Sequence, residues 1–85
     1  MEDFDIIEWV VYLTIDKEDG FIPVNKVKKI IEDLGGLHKY SALLEVKDGE
    51  REYTINTLMT RLQRKKLEEA LREVREILRF DFSMV

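Results

Sequence analysis

The spacing of apolar residues divides the chain into a small set of elements. Asp5 to Ile15 (DIIEWVVYLTI) is almost wholly apolar. Its Trp9-Val10-Val11-Tyr12 centre suits a strand by propensity, whereas its length behind an Asp3 or Asp5 cap suits a buried helix. Length favours the helix, with Trp9 as a core anchor. Phe21 to Val24 reads as a short edge strand, where Pro23 is tolerated. Asn25 then caps a second helix; Val24, Val27, Ile31 and Leu34 form its stripe, Ile30 widens it, and Gly35 stops it. The sharpest local signal is Lys47-Asp48-Gly49-Glu50, because Asp-Gly between alternating residues specifies a type I′ hairpin. Its two-residue loop sets Lys47 against Glu50, Val46 against Arg51, Glu45 against Glu52 and Leu44 against Tyr53, in a hairpin spanning about 43–54.

From Thr54 to Phe80 the composition turns to Leu, Arg, Lys, Glu and Ala, the better helix formers. Ile55, Leu58, Met59 and Leu62 fit one amphipathic stripe, and Leu67, Ala70, Leu71, Val74, Ile77 and Leu78 fit another. The step of five between Leu62 and Leu67 swings the stripe, so the pattern predicts a long C-terminal helix broken or bent near Lys65 and Lys66, either one helix that changes partner midway or two that meet there. Phe80 to Val85 alternates again and reads as a last strand, a partner-docking tail or a frayed end. The elements add up to one α+β domain over residues 1–85: two N-terminal helices, the hairpin and the long C-terminal helix.

Within the long stretch, TINTLMTRLQRKKL (Thr54–Leu67) resembles the recognition helix of winged helix-turn-helix repressors of the penicillinase-repressor type, and more loosely of MarR-type regulators. Thr54, Thr57, Leu58, Thr60, Arg61, Leu62, Lys65 and Lys66 stand in matching places. The resemblance implies a winged-helix-like fold and a dimeric, DNA-binding transcriptional regulator. Asn56, Thr57 and Thr60 would face bases or phosphates, Arg61 would fork onto a guanine edge, and Arg64, Lys65 and Lys66 would take phosphates. Leu67, Leu71, Val74 and Leu78 would pair with a second copy as a homodimer interface. Where the family usually has Gly after the basic pair, this chain has Leu67-Glu68.

Composition narrows the functions. The 85 residues are 45% hydrophobic and 38% charged, which is a globular balance. The absence of Cys excludes disulfides, thiolate metal sites and Cys nucleophiles. His38 is the single histidine, and no Gly-rich phosphate loop, nucleophile–base pair or metal cluster is legible, so no enzyme, cofactor, metal or small-molecule substrate is expected. No apolar run approaches the roughly 20 residues of a membrane span, and the acidic N-terminus does not resemble a signal peptide, so a cytoplasmic location is expected. Scarce amides beside abundant Glu, Lys and Arg suggest a thermophile. The net charge of −4 is spread unevenly: the first twenty residues hold Lys17 against seven acids, whereas the bases gather between Lys26 and Lys66. That basic segment suits double-stranded DNA. The acidic total suits the alternative, a protein-interaction or assembly module that forms a homodimer or binds a partner helix through its C-terminal helix and has no nucleic-acid role.

Overall fold

A computed structural model describes residues 4–85. Strand β1 (Ile7–Asp16) leads through a single 3-10 turn into helix α1 (Ile22–Asp33). Strands β2 (Leu37–Lys47) and β3 (Glu50–Met59) form a hairpin; helix α2 (Arg61–Leu71) and strand β4 (Ile77–Met84) follow. The four strands make one sheet in the order β2-β3-β1-β4. Every neighbouring pair is antiparallel. Each helix links strands that flank a third, so two split βαβ units interlock. This replaces the predicted arrangement of two N-terminal helices, a hairpin and a long C-terminal helix.

The first predicted helix is strand β1. Trp9, Val11, Leu13 and Ile15 are buried on one side, and Glu8, Val10, Tyr12 and Thr14 lie on the other. The period is therefore two. Val10 and Tyr12 on the helix-free side keep the run almost continuously apolar, which masks its period of two. The predicted strand at Phe21–Val24 is instead the first turn of α1. Pro23 sits in that turn, where its missing N–H costs nothing, and Asn25 lies inside the helix, its N–H donating to the Phe21 carbonyl at 2.9 Å.

Helix α1 buries Val24, Val27 and Ile31. It ends in a Schellman motif: Gly36 N–H donates to the Ile31 carbonyl and Gly35 N–H to that of Glu32, each at 2.9 Å. Gly35 occupies the left-handed region at φ 89°, and Gly36 is fixed by space instead. A Cβ there would lie 2.8 Å from Met59 Cγ and 3.1 Å from Ile31 Cγ2. Gly36→Ala is therefore expected to destabilise the chain by about 1–3 kcal/mol through overpacking. A urea midpoint equal to that of the parent would contradict this packing.

The long helix does not exist. Residues 54–59 finish β3, α2 runs without a break through Lys65 and Lys66, and β4 takes residues 77–84. Thr60 makes the break. Its hydroxyl accepts from Gln63 N–H at 3.1 Å, and its own N–H donates to Gln63 Oε1 at 2.9 Å, a capping box that starts a helix at Arg61. Gln63 Nε2 also donates to the Leu34 carbonyl at 3.0 Å, tying the start of α2 to the end of α1. Of the readings open for the tail, the strand is observed, with Phe80 and Phe82 packed against the core.

Both helices cover one face of the sheet, and the core lies between them. Lys26 Nζ donates to Glu76 Oε2 at 2.6 Å, which ties α1 to the segment after α2. This hydrogen bond, helped by one to the Glu76 backbone, holds the Glu76 carboxyl below the usual carboxylate range. The sign follows from linkage: the folded state prefers the ionised form, so the pair adds stability above the unfolded-state pKa and loses it as pH falls through the folded value. Lys26→Met is expected to return the Glu76 side-chain titration midpoint toward its ordinary value in an NMR pH series. An unmoved midpoint would contradict the assignment.

Candidate protein-docking surface

The residues expected to contact DNA do not gather on one helix. Asn56 and Thr57 lie on β3 and point to opposite faces of the sheet. Thr57 is fully buried, and its hydroxyl donates to the Leu37 carbonyl at 2.6 Å. Asn56 is buried on the other face between Val10 and Tyr40. Thr60 is consumed by capping. Arg64 is held beneath the fold, its guanidinium 5.5 Å from the Trp9 ring and 5.3 Å from the Phe82 ring, with Glu68 at 2.9 Å. Only Arg61, Lys65 and Lys66 present their side chains to solvent. The expected dimer stripe is divided too. Leu67 and Leu71 are fully buried against the sheet, Val74 is half-buried in the turn after α2, and Leu78 is exposed on β4. Short side chains on a strand and a capped helix of three turns take the place of a recognition helix.

The helix-free face of the sheet is mostly polar. Glu8 and Tyr12 on β1, Glu52, Thr54 and Asn56 on β3, and Arg79, Asp81 and Ser83 on β4 share it. It holds a shallow, open depression of about 420 Å³ lined by Tyr12, Thr14, Glu52, Arg79, Phe80 and Asp81. Arg79 already donates to Glu50 at 2.7 Å. Such a face is the ordinary solvated side of an antiparallel sheet.

Strands β2 and β4 are the two edges of the sheet, and β2 is the longer. It has β3 on one side and, among the described residues, no strand on the other. Neither helix reaches far enough to bury it, so no residue of Leu37–Lys47 is buried. Leu43, Leu44 and Val46 are exposed by 49–55%. Leu43 pairs with Tyr53, against whose ring Phe21 packs at a centroid distance of 5.5 Å. Phe21 and Ile22 are themselves about 60% exposed. The overhanging hairpin and the start of α1 thus present an apolar flank beside an unpaired strand edge. Register shifts at Lys39 and Leu44 break the β2–β3 ladder; the second explains why Tyr53 meets Leu43 and not the Leu44 that loop length alone implies. Alternation could have revealed this flank, since Leu43-Leu44 and Val46 have no helical stripe opposite them.

No protein-family model matches the sequence, and no curated protein does either. Solved structures do match in shape. The 30S ribosomal protein S6 from Thermotoga maritima superposes with a TM-score of 0.75 at 22% identity, over 95% of this chain and 89% of that one. The ACT domain from the GTP pyrophosphokinase of Chlorobium tepidum gives a TM-score of 0.69 at 14% identity, over 93% and 100%. The P2 domain of the chemotaxis kinase CheA from Thermotoga maritima, in complex with the response regulator CheY, gives 0.67 at 17%, over 95% and 100%. The fold is ferredoxin-like. These neighbours, with the βαββαβ order, overturn the winged-helix expectation and the DNA-binding regulator built on it. No helix of the described residues is long and apolar enough to cross a membrane.

Proposed function

We propose that the chain is a non-catalytic protein-interaction module that binds another polypeptide by extending its sheet along the outer edge of β2. One observation carries this reading: Leu43, Leu44 and Val46 stand exposed beside an unpaired strand edge. An edge strand offers a row of unsatisfied N–H and C=O groups, and an added strand satisfies them while flanking pockets select its side chains. Natural proteins guard such edges with charge and bulges. Lys39, Lys47 and the two register shifts are guards of this kind, but the apolar residues among them are what a bare guarded edge lacks. The P2 domain of CheA, with the same fold, is seen with a protein partner, which supports the reading at the level of the fold.

The test is a titration of the isotope-labelled chain with a panel of synthetic extended peptides of alternating apolar and polar residues. Amide shifts confined to Leu37–Lys47 and Phe21–Ile22 are expected for the peptides that bind, and Val46→Glu should abolish them. Shifts elsewhere, or none with any peptide on a chain that is monomeric under the same conditions, would overturn the proposal.

A further inference from the structure

We propose that the natural occupant of this edge is a second copy of the chain, paired antiparallel along the whole of β2 about a twofold axis through Ala42. The inference rests on the docking reading and names its partner. A twofold axis perpendicular to the sheet keeps like faces together, so residues that meet across it must leave the strand on the same side. On β2 the helix-side residues are His38, Ser41, Leu43 and Val46, opposite Thr57, Ile55, Tyr53 and Arg51 of β3. Leu37, Tyr40, Ala42, Glu45 and Lys47 lie on the bare side.

Centring the axis on Ala42 satisfies this pattern. Ser41 meets the partner's Leu43, and His38 meets the partner's Val46, all on the helix side. Ala42 meets its own copy and Leu37 meets the partner's Lys47, all on the bare side. Tyr40 meets the partner's Leu44, so each copy's shifted segment falls against the other's. Lys39 meets the partner's Glu45, twice by symmetry. Both groups are on the bare face: Lys39 reaches Glu8 there, and Glu45 pairs with Glu52. Their present partners hold them loosely, Lys39 to Glu8 and Glu45 to Lys47, each at 3.5 Å and exposed. Neighbouring registers fail. An axis through Leu43 sets Lys39 against the partner's Lys47 and helix-side Ser41 against bare-side Glu45. An axis through Ser41 gives no ion pair and sets Lys39 against the partner's Leu43. Charge and face agree in one register only.

Light scattering and sedimentation equilibrium on the full chain test this. A concentration-dependent dimer is expected. Lys39→Glu and Glu45→Lys should each raise its dissociation constant at least about tenfold, since each replaces two attractive cross-strand pairs by two repulsive ones. The double variant should recover most of that loss. Ala42→Cys, in a chain without other Cys, should oxidise to a covalent dimer, because the Cα atoms of directly opposed antiparallel residues lie about 4.5–5.5 Å apart, a span that a disulfide bridges. These sites are exposed, and a circular dichroism spectrum matching the parent's is the control that each variant folds. A dimer unaffected by the swaps and not cross-linked through position 42 would overturn the register. A chain that is monomeric at every concentration but binds extended peptides along β2 overturns the self-pairing and leaves the docking reading standing. A monomer that binds none overturns both.

Discussion

Trp9→Ala is expected to lower the unfolding free energy by about 3–5 kcal/mol, the largest effect of any single change considered. Trp9 is buried in β1, and three separate interactions end on it. Its bulk fills the space under α2 and the end of β3. Its indole N–H donates to the Met59 carbonyl at 3.0 Å, so the truncation also leaves a buried acceptor unpaired. Its ring face carries the Arg64 guanidinium at 5.5 Å, a contact worth about 0.5–2 kcal/mol depending on desolvation. Trp9→Phe separates the contributions, because it keeps most of the volume and an aromatic face but loses the donor. It should fall between parent and alanine variant in urea denaturation. An alanine variant within about 1 kcal/mol of the parent would place Trp9 outside the core.

Leu67→Ala is the second large effect, at about 2–5 kcal/mol, and it discriminates between two structures of the same segment. Leu67 is 0% exposed and Leu71 1% exposed, both turned into the sheet from α2. The cavity left by the substitution opens inside each chain, so the loss appears in unfolding free energy and does not depend on protein concentration. Against a typical total of about 5–15 kcal/mol, such a loss is severe for a small domain. If these leucines instead formed the dimer stripe of a C-terminal helix, the same variant would weaken association and spare the folded monomer. Weakened association at unchanged monomer stability would contradict the core assignment.

The contrast between these readings shows what in the sequence was legible. Turn chemistry is local: Asp48-Gly49 closes the β2–β3 hairpin, and Lys47–Glu50, Val46–Arg51 and Glu45–Glu52 pair across it. The α1 stripe and its Gly35 stop are equally local. The misread segments are those whose periodicity is ambiguous. Ile55, Leu58, Met59 and Leu62 satisfy a helical template, but Tyr53, Ile55, Thr57 and Met59 satisfy a strand once Thr57 counts as buried. Thr57 escapes a hydrophobic tally because its hydroxyl finds a backbone partner twenty residues away. The Thr60-to-Gln63 capping box was a visible start signal inside the supposed helix. For β1, an apolar run of that length is shared by buried helices and central strands, and only its alternating Glu8, Tyr12 and Thr14 separate them. The unpartnered Leu43-Leu44 and Val46 were legible by alternation, but that they border a free strand edge was not, since it depends on where β2 falls in the sheet order.

Residue-resolved hydrogen exchange of Leu37–Lys47, at low and high protein concentration, tests that edge most directly. In dilute solution, amides directed to β3 should be protected and those directed outward should exchange quickly. Raising the concentration should slow the outward set, with the change centred on Ala42. Outward amides already protected in the dilute monomer would mean that the edge is covered within one chain. Outward amides that stay fast at every concentration, and in the presence of every peptide tried, would mean that nothing docks on β2.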